Sequence, residues 1–371
     1  MKTQLSSIEI SYLTKELKIL INGRIDKIFQ VDKKEFYIQF HIPSIGKKIL
    51  RITDKLMYLT ENKPETENLP EFCVYLRKQL DNSRLREINQ KESERIVEFI
   101  FESKNGVRKL IAELFGGGNL LILDEDDIIL SAAHYEQYKD RAIVAKSKYV
   151  YPKMQYNLFN LKLKDLKEMF KKTKIENLVK CLAIDLGLGG TYSEEVCLLA
   201  GVNKNEKPVN LKEKEINNLY STIKKLINKE ITAVIIYKEK EAVDALPFIL
   251  DSYKELETKR FESFNEALDY YFTNEFKIII KKESPYESQI KELKRIIGEQ
   301  ENTIKSLKEK SEENTKKGEM IYHNYQLIKE ILDEINKASK KYSWGEIKDK
   351  LKGHKTVKDI NLKDKTVVVE V

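Results

Sequence analysis

From residue 286 to about residue 342 the chain holds no proline, and apolar residues return on a seven-residue register. They are Ile290, Leu293, Ile297, Ile304, Leu307, Ile321, Tyr325, Ile328, Leu332 and Ile335. A helix of roughly 55 residues would reach about 80 Å at 1.5 Å per residue. No small domain of its own could cover such a stripe. The register therefore predicts a long coiled-coil helix over 286–342 that needs a partner helix. Gln300, Ser311, Asn314 and Gly318 fall on the same seam and weaken its middle. Residues 286–352 carry 15 basic and 13 acidic side chains, the near-balance of a solvated arm.

Beyond the arm, 343–371 reads as a short helix and then a strand over 365–371. A strand that stops at the last residue lacks a partner, so the natural polypeptide is expected to continue.

The part before the arm has a different rhythm. Ser7 is a candidate cap for a first helix in which Ile8, Tyr12, Leu13, Leu17, Leu20 and Ile21 recur at helical spacing. Asn22-Gly23 ends it. Short alternating runs at 24–31, 35–42, 47–53 and 56–59 predict four antiparallel strands. A proline-marked linker at 64–70 leads to a helix over 71–80. Further strands are expected at 84–90, 94–101, 108–114, 119–123 and 128–132. Connections this short exclude parallel crossovers, so the class is α+β. Past Pro152 the pattern turns helical, at 164–170, 175–186, 192–199 and 211–227. Apolar strands are expected at 232–237 and 248–250, and a helix at 265–276. The resulting division is 1–155, 156–230, 231–285, 286–342 and 343–371.

Charge narrows the function classes only a little. The 371 residues carry a formal charge of +7, which excludes a histone-like polycation and allows local basic faces. Such faces are expected at Arg77-Lys78, at Arg95 and along Lys164, Lys167, Lys171 and Lys172; a solvated helix face is the blander reading of the last. Cys73, Cys181 and Cys197 are far apart and odd in number, which disfavours a disulfide framework. No long apolar run follows Lys2, and the apolar runs at 233–237 and 278–280 are too short to span a bilayer. A cytoplasmic, reduced protein without membrane contact is expected. Four histidines show no metal-ligand spacing, and there is neither a phosphate-binding G-x-x-x-x-G-K-[ST] loop nor a G-x-S-x-G elbow. No cofactor or metal is implied, and a binding protein is the default.

Two glycine clusters stand out. Gly116, Gly117, Gly118 and Asn119 lie between two apolar strands, where glycine permits close approach of another backbone; a wide hairpin turn is the plainer reading. Gly187, Gly189, Gly190 and Thr191 join one helix to the next, and the free N–H groups of a helix N-terminus attract phosphate. A plain helix–helix turn is the alternative.

Residues 187–202 resemble the helix-two-turns-helix of formamidopyrimidine-DNA glycosylases, which grip a nucleic-acid backbone with it. The chain lacks their other parts. Met1-Lys2 stands in place of their Pro-Glu start, Gly190 replaces their usual phosphate-contacting Asn, and no four-cysteine finger follows.

The ordered set of motifs is more similar to the NFACT family. It comprises Ser6-Ser7-Ile8-Glu9-Ile10, the Phe72–Lys78 stretch, Glu94-Arg95-Ile96-Val97, Ala112 to Leu120, the glycine-rich helix turn and the long helix. The resemblance covers essentially the whole chain. It implies an antiparallel β-rich N-terminal domain like that of the DNA glycosylases, a helix-two-turns-helix domain and a coiled-coil arm. It also implies a ribosome quality-control factor that is not an enzyme in its own side-chain chemistry. Such a factor binds the large ribosomal subunit, rRNA and peptidyl-tRNA together, and recruits tRNA to extend stalled nascent chains without mRNA. The family's tRNA-handling residues map onto Glu9 and the Glu94-Arg95 pair, with Glu at both acidic positions where Asp is usual. Its Glu-Ile-Met-like element maps onto Glu113, Leu114 and Phe115. A returning helix and a further RNA-binding domain are expected after the arm, and a stripe left unpaired is open to self-association. Competing readings are a fibronectin-binding adhesin or scaffold and a glycosylase-like DNA-binding protein without catalysis.

Overall fold

Two helix-to-strand transitions in the first 125 residues are made in the same way. In each, a helix ends at an Asn in the left-handed region (Asn22, φ 69; Asn82, φ 52) and a strand starts two residues later. In the computed structural model all residues are described except 65–69, 139–140, 276–284, 353, 355, 362–365 and 371, together with the side chains of 285–291, 294 and 305. Two compact units result, Met1–Lys282 and Glu283–Val371. Most of the linker expected at 64–70 lies outside the described residues, as do Phe276 and the run at 278–280.

The first unit opens with α1, Ser7–Glu16. Its cap is Ser6 rather than Ser7. The Ser6 hydroxyl accepts from the Glu9 N–H while the Glu9 carboxylate accepts from the Ser6 N–H, a reciprocal capping box. Ser7 instead donates its hydroxyl to the Ser93 carbonyl at 2.6 Å. Replacing Ser6 with Ala should cost about 1 kcal/mol and lower the unit's melting temperature by a few degrees in a thermal melt.

A 3-10 turn, Leu17–Leu20, leads to β1 (Arg24–Gln30), β2 (Phe36–Ile42), β3 (Gly46–Ile52) and β4 (Met57–Thr60). Then come α2 (Glu71–Leu80), β5 (Arg84–Gln90), β6 (Ile96–Ser103), β7 (Gly106–Glu113), β8 (Asn119–Leu123) and β9 (Ile129–Ala132). The two strand groups form one antiparallel sheet of nine in the order β4-β3-β2-β1-β5-β6-β7-β8-β9. Burial alternates along β1 and β5, so apolar side chains cover a core that α1 and α2 share.

The second group repeats the first, sixty positions on. Arg24, Ile25, Ile28 and Gln30 recur as Arg84, Leu85, Ile88 and Gln90. Both strands bulge at the residue between these pairs, Ile25/Lys27 and Leu85/Glu87. Gly46 (φ 96) recurs as Gly106 (φ 89), and the helices share Tyr-Leu-x-Lys-x-Leu at Tyr12 and Tyr75. At the seam, Ile25 N–H donates to the Ser83 carbonyl at 3.0 Å and Leu85 N–H to the Gly23 carbonyl at 2.9 Å, each bond the image of the other. A local twofold axis thus passes between Arg24 and Arg84, which stand directly opposite.

Two short strands, β10 (Glu136–Gln137) and β11 (Ala142–Ile143), follow. Then come α3 (Leu163–Lys172), α4 (Leu178–Ile184), α5 (Gly190–Ala200) and α6 (Glu213–Ile227). A three-stranded sheet in the order β13-β12-β14 contains β12 (Val234–Lys238), β13 (Glu241–Leu246) and β14 (Glu257–Arg260). The strand expected at 248–250 is absent; Phe248 and Leu250 are instead core residues after β13. The polar β14 carries no apolar alternation that would announce it. The final helix, α7, is Phe264–Tyr270 and continues as a π turn over Tyr271–Glu275. Glu16 accepts from the Phe264 and Asn265 N–H groups at 2.9 and 2.8 Å and so caps α7. The Asn265 amide pairs with both backbone groups of Leu59, giving β4 the partner its edge lacks.

In the second unit the arm is two helices, α8 (Pro285–His323) and α9 (Tyr325–Ser339). The break is at Asn324, whose side chain donates to the Met320 carbonyl at 2.9 Å; such local bonding competes with the helical ladder. Leu293, Ile297, Ile304, Leu307 and Ile321 are exposed, as an unpartnered stripe requires. Ile331, outside the seven-residue register, is buried with Ile335 against α10 (Trp344–Lys350) and a hairpin of β15 (Val357–Asn361) and β16 (Thr366–Val369). The terminal strand therefore has its partner in β15, contrary to the sequence expectation. Among the described residues no helix is long and apolar enough to cross a membrane.

Candidate nucleic-acid interface

A cleft of about 900 Å³ opens between the N-terminal residues, the turn before β6, the α4–α5 connection and β13. Its floor is a buried charge network. Lys2 Nζ donates to Glu9 Oε1 at 2.6 Å and to Asp244 Oδ1 at 3.0 Å, with the three side chains 5%, 3% and 14% exposed. Tyr192 OH donates to the same Glu9 oxygen at 3.1 Å, and the second Glu9 oxygen accepts from the Ser6 N–H at 2.7 Å. Burial alone would lower the Lys2 ammonium, but the Asp244 and Glu9 charges outweigh it and hold the pKa above the ordinary value. Lys2 is thus a locked cation, with no free amine to act as a nucleophile.

One wall is the turn at 91–95. Glu92 takes a left-handed φ of 51, Glu94 N–H donates to the Lys91 carbonyl, and the Gln90 amide ties the Glu94 carbonyl to Ser7. Glu94 and Arg95 therefore sit in a turn, in the two positions just before the strand expected to carry them. Both are half-buried. Arg95 Nη1 donates to Gln4 Oε1 at 3.0 Å, a neutral partner. Burial lowers the Arg95 pKa and the Glu94 charge opposes this; burial likewise raises Glu94 against the pull of Arg95. Among the described residues the Glu94 carboxylate has no hydrogen-bond or ion-pair partner.

The facing wall is the start of α5. Gly187 and Gly189 adopt φ of 75 and 76, conformations closed to most L residues, and Gly189 is the N-cap. The first bond back into the turn is Ser193 N–H to the Gly189 carbonyl at 3.1 Å. Among the described residues the N–H groups of Gly190, Thr191 and Tyr192 have no acceptor, as is usual at a helix N-terminus. A guanidinium on one wall and helix-terminal amides on the other form a pair of anion-binding elements.

Of the sequence-derived candidates, Glu9, Glu94, Arg95, Gly187, Gly189, Gly190 and Thr191 all line this cleft. Glu113, Leu114, Phe115, Gly116, Gly117, Gly118 and Asn119 do not. Leu114 is still tied to the cleft's wall, its N–H donating to the Arg95 carbonyl at 2.8 Å. Glu113 is buried and takes the fork of Arg141, with Arg141 Nη2 at 3.1 Å and Tyr149 OH at 2.6 Å. Leu114 is in the core, and Phe115 packs beside the Arg141 guanidinium. The close approach that Gly118 permits is to Asp54 of the same chain: a Cβ there would collide with Asp54 Cα. Asn119 bonds to the His134 and Leu120 backbone. Gly116 and Gly117 face open space.

Two of the expected basic faces are partly engaged elsewhere. Arg77 gives its guanidinium to the Ile28 carbonyl, and Lys167 and Lys172 pair with Glu213 and Glu168. Lys2, Gln4, Tyr192 and Asp244 are site residues that the sequence reading passed over. No local pattern links positions 2, 192 and 244.

Comparison with known proteins agrees with this fold. Residues 6–370 match the family model described as NFACT N-terminal and middle domains. The chain is 36% identical over 372 residues to the archaeal Rqc2 homolog aRqcH of Methanocaldococcus jannaschii, covering 96% of this chain and 55% of that protein. It is 24% identical over 378 residues to the human ribosome quality control complex subunit NEMF, covering 94% of this chain and 35% of that protein. The chain thus spans about half the length of the first relative and a third of the second. Among solved structures, a fibrinogen binding protein from Staphylococcus aureus shares the fold, with a TM-score of 0.60 at 17% identity over 72% of this chain and 98% of that one.

Proposed function

The chain belongs to the NFACT family, and from that premise we propose that it is a ribosome quality-control factor that grips tRNA in the cleft beside Arg95. In this reading it binds the large ribosomal subunit with its peptidyl-tRNA and recruits tRNA for mRNA-independent extension of the stalled chain. The relatives' names, which denote ribosome quality-control subunits, support the role. The observation that carries the site is the pairing, across one cleft, of an arginine held by a neutral amide with the N-terminal turn of a helix. Arg95 would take one phosphate, the amides of Gly190, Thr191 and Tyr192 another. The unpartnered Glu94 carboxylate would accept from a base or from a ribose 2′-hydroxyl.

Glu9 serves by position: it fixes Lys2 and the first turn of α1 under the bound RNA. Glu113 would act the same way, orienting Arg141 while Phe115, Gly116 and Gly117 present a neighbouring surface. The segments 1–155, 156–230 and 231–285 form the RNA-holding part in this proposal, with 286–342 as the arm and 343–371 at its tip. An adhesin reading has only a fold neighbour behind it, and a fold does not carry a function.

Arg95→Ala should lower tRNA affinity about tenfold, the order of one charge-assisted phosphate contact, with the thermal melt unchanged. Filter binding with purified tRNA measures it. Undiminished affinity in a folded variant would remove Arg95 from the site.

A further inference from the structure

Away from the cleft, the local twofold axis of the nine-stranded sheet carries an arrangement that packing does not explain. Arg24 of β1 and Arg84 of β5 stand directly opposite across the seam. Like charges in that position repel. Among the described residues neither arginine has a hydrogen-bond or ion-pair partner. The acids beside them are already engaged: Glu102, opposite Arg84 on β6, with Arg86, and Asp81 with Lys104. These groups line a concavity of about 480 Å³ with four cationic side chains and two acidic ones.

We infer that the Arg24–Arg84 pair is a second nucleic-acid contact, a seat for a single RNA phosphodiester on the axis of the repeat. Two guanidinium groups lining one concavity offer donors to both non-bridging oxygens of a phosphate, and the bound anion cancels their repulsion. The lining holds no aromatic ring on which a base could stack, so the ligand is the backbone and the contact is indifferent to sequence. The nature of the ligand rests on the RNA-binding reading above, but the site is separate from the cleft.

The test uses the full chain and fluorescent bulk tRNA, titrated over a range of salt. Arg24→Gln with Arg84→Gln should weaken binding about tenfold and reduce the slope of log affinity against log salt by about 1, the signature of one lost phosphate contact. The same change should appear in the Arg95→Ala background. The melting temperature should hold or rise, because repulsion is relieved. Arg24→Lys with Arg84→Lys keeps the charge and should recover most of the slope but only part of the affinity; it decides the matter if the glutamine pair disturbs the fold. An unchanged slope and affinity overturns the proposal, as does a wild-type chain that binds no tRNA. If Arg95→Ala binds normally while the axial variant is weakened, the cleft reading fails and the axial seat stands.

Discussion

Gly118→Ala is expected to destabilise the first unit by about 4 kcal/mol, or to prevent its folding. Two costs add. The residue holds φ of +69, where an L side chain is strained, and the new methyl would collide with the Asp54 backbone. Backbone cannot move aside as the tip of a lysine can. Gly117 offers the contrast: a Cβ there meets nothing within 4 Å and its φ is not positive. Gly117→Ala should therefore stay within about 0.5 kcal/mol of the parent chain. Urea unfolding followed by circular dichroism separates the two. Equal midpoints for both variants would show that the turn is not fixed by its contact with Asp54.

Lys2→Met should cost a similar amount, about 4 kcal/mol, because it leaves the buried Glu9 and the half-buried Asp244 carboxylates without their cation. Its pH dependence is the sharper reading. In the parent chain the Lys2 pKa is raised by folding, so its stabilisation is full below the ordinary ammonium value of about 10.4 and is lost only above it. The variant has no Lys2 ammonium, so its deficit relative to the parent should stay constant from about pH 6 to about pH 9 and shrink only above about pH 10.4, as the parent loses this contribution. A deficit that shrinks well below that pH would show that Lys2 is not the locked cation described.

The strands were legible because each side of the sheet faces a different medium: the alternation in 24–30 and 84–90 is the record of that burial. The glycine-led start of α5 was legible for a similar local reason, since only glycine fits the two left-handed positions before it. Glu94 and Arg95 were found by resemblance, although their turn was misread as strand because apolar residues begin immediately after it. The floor of the cleft was not legible at all. Lys2, Tyr192 and Asp244 meet through the fold of three distant segments, and a lysine at position 2 reads as an ordinary charged terminus. Glu113 misled in the opposite sense, since a buried carboxylate and a ligand-facing one have the same letter. The register of the arm identified a helix but not its break, because the bonding of Asn324 to its own backbone is invisible to periodicity.

The sixty-residue repeat has a consequence for descent. Its two halves meet as two identical subunits meet in an isologous dimer, with bonds exchanged in reciprocal pairs about one axis. A gene encoding a single helix and four strands, pairing with its own copy, would build the same seam. In such a dimer one arginine codon would set two guanidinium groups side by side. The halves of this chain are not copies of each other: only the second carries the Glu94-Arg95 turn and the Gly118 contact.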